Sequence, residues 1–133
     1  MRLERTYYHQ LSAKTIGRLK QLTLYGSYGD SMMRDTLNEL AEGARQSREV
    51  PFVLAWEDNK IVGWGLLTPQ EFTRKRVMMI YVMKPYRRRG IGSAIAKKLR
   101  RFQDHSCFPW DETSYEFYDA LKINPYWNGR KYR

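Results

Sequence analysis

The chain has 133 residues, 42% hydrophobic and 14% aromatic, which suits one globular domain with a modest core and excludes a disordered segment. No apolar run reaches membrane-span length and the start, Met1 to Thr6, has no apolar signal core, so a cytoplasmic location with no membrane partner is expected. Formal net charge is +10, and the single cysteine, Cys107, excludes an internal disulfide.

The charge is unevenly placed. Residues 1–70 carry 9 Lys/Arg against 8 Asp/Glu, and residues 102–133 carry 4 against 5. Residues 71–101 carry 11 basic side chains and one acid, Glu71. A solvated helix face or a polyanion site would explain that excess.

In chain order, Leu3 to Leu11 reads as a short strand or extended lead-in. His9 has no Cys/His partner at metal spacing, and no metal site is expected. Ser12 can cap a helix over 13–25, whose apolar face is Ile16, Leu19 and Leu22. Gly26 to Ser31 reads as a loop, and Met33, Leu37, Leu40 and Ala41 predict a second helix over 32–48. Pro51–Trp56 and Ile61–Leu67 form a predicted hairpin around Asp58-Asn59-Lys60. Gly63 and Gly65 share one face of its second strand, where a bulge or close packing is expected.

The informative stretch is Val77 to Ser93. Val77–Met83 is apolar and β-prone, and Ile91, Ile95, Leu99 and Phe102 mark one stripe of a helix over 91–104. Between them lies Arg87-Arg88-Arg89-Gly90-Ile91-Gly92-Ser93. A glycine-bearing loop entering a helix turns N–H groups toward one point at the positive end of the helix dipole, which suits a phosphate. It also suits a plain tight turn. No Gly-Lys-Ser/Thr follows and no third glycine sits at the dinucleotide step, which excludes those two phosphate motifs. Beyond it, Cys107–Trp110 predicts a short edge strand, Asp111 can cap a helix over 112–122, and Asn128-Gly129 signals a terminal hairpin.

Arg87-x-x-Gly90-x-Gly92 after a strand ending Val82-Met83-Lys84-Pro85 resembles the coenzyme A motif of the GNAT N-acetyltransferase superfamily, Arg/Gln-x-x-Gly-x-Gly/Ala. Asp111 to Ile123 is similar to a second family pattern, Asn-x-x-Ala-x-x-x-Tyr-x-x-x-Gly-Phe, with Lys122 in place of the glycine. The resemblance implies an α/β (α+β) GNAT fold: a mixed, mostly antiparallel central sheet flanked by helices, with a short C-terminal hairpin. The chain is short for that family, so the hairpin would be stubby or completed by a partner subunit, as in a homodimer.

The resemblance also implies chemistry. Acetyl-CoA would be the donor, and an amine would attack its thioester directly. Open backbone groups of Ile80, Tyr81 and Val82 would pair with pantetheine, with the Val82 amide polarising the thioester carbonyl. Arg87 belongs to the loop motif, and the amides of Arg88, Arg89, Gly90, Ile91, Gly92 and Ser93 would take the pyrophosphate. Asp111 falls where the family contacts the cofactor. Tyr118 falls on the tyrosine that protonates the departing thiolate, a role its phenol can serve near neutral pH.

One departure stands out. Arg76 occupies about the place where histone-acetylating members carry a glutamate base, and residues 72–103 contain no acid. Glu71, Glu57, Asp30 and His9 are the remote alternatives. Either the amine arrives neutral, or catalysis is weak, or the chain is a non-catalytic protein that binds nucleic acid or a protein partner through its basic face. An anionic acceptor, such as a protein surface or aminoacyl-tRNA, suits the charge better than a small polycation.

Overall fold

The computed structural model describes residues 1–23, 28–42, 50–68, 76–101, 105–107 and 112–123. Five strands form one sheet in the order β1 (Arg2–Tyr7), β2 (Pro51–Glu57), β3 (Lys60–Leu67), β4 (Arg76–Val82) and β5 (His105–Cys107). The first four are antiparallel neighbours, and β5 lies parallel to β4. Helices α1 (Ala13–Leu22) and α2 (Tyr28–Glu42) fall between β1 and β2; α3 (Ile91–Leu99) crosses from β4 to β5, and α4 (Glu112–Ala120) follows β5.

The β2–β3 hairpin closes through Asp58 and Asn59, both at positive φ (47° and 64°), the twist a two-residue turn needs between right-handed strands. One apolar cluster joins Leu19, Met33, Leu37 and Leu40 to Phe52, Leu54, Trp64 and Met79. The other joins Ile91, Ile95, Leu99 and Tyr118 to Val53, Ala55, Met78 and Ile80. Alternation along the strands thus divides the side chains between the two sheet faces.

Gly63 and Gly65 set how α3 sits. A Cβ on Gly65 would come within 2.7 Å of Ile95 Cγ2 and 3.1 Å of Leu99 Cδ1. One on Gly63 would meet the Tyr81 carbonyl at 3.1 Å. Close packing is therefore what these glycines provide, and a register shift between Ala55 and Trp56 falls beside Gly63 as well.

Several boundaries differ from the sequence expectation. Helix α1 stops at Leu22 because the Thr23 hydroxyl donates to the carbonyls of Leu19 (3.3 Å) and Lys20 (3.1 Å). Its start is as read, with Thr15 N–H donating to Ser12 Oγ at 3.1 Å. Helix α2 is described over Tyr28–Glu42, so it is already helical inside the stretch read as a loop; residues 43–48 of the expected helix lie outside the described residues. Strand β5 is described over His105–Cys107, so it starts two residues before the apolar run, where it pairs with Arg76–Met78; residues 108–110 of the expected strand lie outside the described residues. The expected terminal hairpin, with Tyr126, Trp127 and Tyr132, lies outside the described residues.

Candidate active site at the β4–β5 fork

The two edges of β4 are treated differently. Toward β3 it is paired throughout. Met83 N–H donates to Val62 O (2.8 Å), Thr68 N–H donates to Val77 O (3.0 Å), and the register between them is regular. Alternate residues of an antiparallel strand turn their backbone groups to opposite edges. Residues 77, 79, 81 and 83 therefore face β3, and Met78, Ile80 and Val82 face β5. Among the described residues, β5 pairs with β4 from Arg76 to Met78. Ile80 and Val82 lie beyond that pairing and have no described strand partner on this edge, named the fork below.

Tyr118 sits where the described pairing ends. Its hydroxyl donates to Met78 O at 3.4 Å and accepts the Ile80 N–H. The side chain is only 2% exposed. Burial pushes the phenol well above its ordinary value, the neighbouring Cys107 thiol adds to this, and the Ile80 bond opposes it. The group is thus a neutral phenol throughout the physiological range, holding its proton more tightly than a free phenol and unable to act as a phenolate base.

What holds Tyr118 is the end of α4. Ile123 N–H donates to Tyr118 O (3.0 Å) and Lys122 N–H to Asp119 O (2.9 Å), the double bond of a Schellman turn. Lys122 takes the left-handed conformation there, φ 58°, where the family pattern has glycine. The turn forms despite the lysine, at a cost of about 1 kcal/mol in backbone strain. Cys107 Sγ donates to Ile123 O at 3.4 Å, joining β5 to the same turn. That thiol is fully buried and pushed up to about 12 by desolvation, so it is a packing group.

The open end of β4 is tied by Arg87. Its Nε donates to Val82 O at 2.8 Å, and its guanidinium lies 5.9 Å from the Tyr81 ring centre. Of the fork's backbone groups, Ile80 C=O and Val82 N–H remain without a partner among the described residues. Tyr81, also named from the sequence, turns its backbone to Trp64 of β3.

The loop after β4 makes a 3₁₀ turn over Lys84–Tyr86, then two left-handed residues, Arg88 (φ 65°) and Gly90 (φ 80°). Gly90 is the N-cap of α3 and its carbonyl accepts the first helical bond, from Ala94 N–H at 3.0 Å. The N–H groups of Ile91, Gly92 and Ser93 thus lie in the first turn, where an α-helix supplies no acceptor. Arg88 and Arg89 are exposed, Ser93 is half-buried, and the Ile91 side chain belongs to the core, so only its backbone can serve a ligand.

The two loop glycines serve different ends. A Cβ on Gly90 would meet nothing within 4 Å, so its backbone is open to a ligand and glycine is favoured by its φ. A Cβ on Gly92 would meet the Phe117 ring at 3.2 Å. Gly92 therefore lets α4 approach α3, and Phe117 stands edge-on to Tyr118 at 5.1 Å between ring centres. Sequence reasoning missed Phe117 as the link between loop and tyrosine. An aromatic directly before the motif tyrosine was its only local signal.

No described acid stands on β4. Glu57 lies 3.9 Å from the N-terminal amine, and His9 is exposed in the turn after β1. Asp111 and Glu71 lie outside the described residues, as do the side chains of Arg76 and Asp30. No group of His, Cys, Asp and Glu among the described residues could hold a metal. No described helix is long and apolar enough to cross a membrane.

A β4 edge beside a glycine-bearing helix N-terminus, backed by a buried tyrosine, is consistent with an acyl-CoA-dependent transferase. Residues 13–121 match the Acetyltransferase (GNAT) family, and the chain belongs to it. Its cofactor, acetyl-CoA, is the one GNAT enzymes use. No curated protein sequence matches the chain. Its fold is shared with solved structures of low identity. A candidate acetyltransferase from Exiguobacterium sp. 255-15 is 19% identical with a TM-score of 0.67, over 91% of this chain and 84% of that one. A ribosomal-protein-alanine N-acetyltransferase from Brucella melitensis biovar Abortus 2308 is 17% identical with a TM-score of 0.60, over 100% and 99%. An aminoglycoside N-acetyltransferase in complex with coenzyme A is 13% identical with a TM-score of 0.60, over 99% and 98%.

Proposed function

We propose that the protein transfers an acetyl group from acetyl-CoA to a primary amine, with Tyr118 as the general acid. The observation that carries this reading is the β5-facing edge of β4, where Ile80 and Val82 have no described strand partner beside the buried, protonated phenol of Tyr118. An open strand edge there is what a thioester donor requires. Pantetheine carries secondary amides, each a donor and an acceptor. Val82 N–H and Ile80 C=O offer a donor and an acceptor along that edge. The N–H groups of Ile91, Gly92 and Ser93, with the backbone around Arg88, Arg89 and Gly90, take the pyrophosphate at the positive end of α3. Arg87, which the motif places at the loop, acts here by fixing the Val82 carbonyl.

Acetyl-CoA supplies the thioester whose carbonyl carbon the amine attacks. Ile80 N–H already meets the Tyr118 hydroxyl, so the polarising of the thioester carbonyl is assigned to Val82 N–H, which has no described partner, while Ile80 C=O takes a pantetheine N–H. Tyr118 gives its proton to the leaving sulfur, the attacking nitrogen releases one to water, and water restores the proton of the phenol.

With no described base on β4, the amine has to arrive neutral. At pH 7 an α-amine is neutral in roughly one molecule in ten, and a lysine side chain in roughly one in two thousand. The reading therefore favours an α-amino acceptor, on a protein N-terminus or an aminoacyl-tRNA.

Two measurements test this. Calorimetric titration with acetyl-CoA should show one site per chain with micromolar affinity; no heat from either acetyl-CoA or coenzyme A in folded protein would sink the proposal. Tyr118→Phe should lower single-turnover acetyl transfer to an α-amine peptide on the order of 100-fold with cofactor affinity nearly unchanged. Equal turnover in the two proteins would remove Tyr118 as the acid.

A further inference from the structure

The acetyl-transfer site uses the N-terminal end of α3. The other end is as strongly charged and has no part in it. Lys97, Arg100 and Arg101 are exposed and Lys98 is half-buried, while Ile91, Ile95, Ala96 and Leu99 hold the inner face against the sheet. These four cations lie seven to eleven residues beyond Gly90, about 10 to 16 Å along the axis from the pyrophosphate loop. Lys84, Arg87, Arg88 and Arg89 are exposed at the near end. The result is a basic ridge along the outer side of α3, with no acid in the sequence from residue 72 to 103.

Such a ridge is not what solubility alone selects. A solvated face mixes signs, as α2 does with Arg34, Asp35, Glu39 and Glu42. Lys97 in the last turn of α3 and Arg100 at its C-cap are three residues apart, so like charges face each other and destabilise the helix end by a few tenths of a kcal/mol. The helix C-terminus returns part of that through its dipole. None of the four forms an ion pair with a described residue.

We propose that the outer face of α3, through Lys97, Lys98, Arg100 and Arg101, docks the phosphodiester backbone of a nucleic acid. Four cations within about 6 Å of helix axis match the charge density of a duplex, one phosphate per about 1.7 Å of its axis, better than they match a single small anion. The surface is separate from the fork, so the proposal stands whether or not the fork transfers acetyl groups.

The test is fluorescence anisotropy of the full chain with labelled single-stranded RNA, duplex RNA and duplex DNA. The duplex affinity should fall on the order of 100-fold between about 50 and 200 mM salt, the slope of about four released counterions. The variant K97E/K98E/R100E/R101E should lose at least 100-fold in binding at low salt, while calorimetric affinity for coenzyme A stays unchanged. If the charge reversals prevent folding, K97Q/K98Q/R100Q/R101Q keeps side chains that favour helix and should lose binding in the same direction. The probe bound best identifies the nucleic acid. A flat salt response, unchanged binding by the folded variant, or equal binding of poly-glutamate would overturn the proposal. So would a parallel loss of coenzyme A affinity, which would give the ridge to the cofactor's 3′-phosphate.

Discussion

The β3 edge of β4 and its β5 edge are built from the same seven residues and have opposite fates. On the β3 side every alternate residue is paired, and glycines at 63 and 65 press α3 onto the neighbouring strand. On the β5 side the described pairing runs from Arg76 to Met78, and a tyrosine hydroxyl meets the backbone of Met78 and Ile80. The closed edge supplies stability and fixed register. The open edge supplies backbone groups that a ligand can use, and it can stay open because side chains from outside the sheet, Tyr118 and Arg87, satisfy part of it.

The closed side should be least tolerant. Gly65→Val puts atoms where Ile95 and Leu99 already are, and should cost about 3 kcal/mol in denaturant unfolding. A cost below 1 kcal/mol would mean α3 is not held as closely as the 2.7 Å approach implies. The turn behind the fork should show itself in alkali. Tyr118 and Cys107 both bind their protons more tightly folded than unfolded. Their contribution is therefore complete below the unfolded values, near 9 to 10, and is lost as pH rises beyond them. Stability should drop by about 2 kcal/mol between pH 9 and 10.5, and C107A should flatten that slope. An unchanged slope in C107A would contradict the burial argument.

The open side should respond in function more than in stability. Arg87→Ala removes the bond to Val82 O, and should raise the KM for acetyl-CoA about tenfold with little change in unfolding, since Arg87 is exposed. Unchanged KM would leave the Arg87 bond without a role in the fork. The smallest effect is expected at Lys122. Lys122→Gly relieves the left-handed strain and should stabilise the protein by about 1 kcal/mol; destabilisation would show that the lysine makes a contact worth more than the strain.

Much of this was legible in the sequence. The strands β2, β3 and β4 follow from alternation and β-branched runs, and Arg87-x-x-Gly90-x-Gly92 located the loop. The glycine pair in β3 announced close packing. Helix ends were less legible, because they depend on single hydroxyls such as Thr23 and on where the chain must return to pair with β4. The fork itself could not be read from spacing. Whether Ile80 or Val82 presents an open amide depends on the register with β3, a tertiary fact. So does the role of Gly92, whose missing side chain is filled by Phe117 from a helix 25 residues on.

The central claim is that Val82 faces an open edge while its neighbour Tyr81 does not. Backbone amide exchange followed by NMR, with and without coenzyme A, tests it most directly. The account predicts a rapidly exchanging Val82 amide in the free protein that becomes strongly protected on binding, beside a Tyr81 amide protected in both states. A Val82 amide already protected in the free protein, or unaffected by coenzyme A, would contradict it.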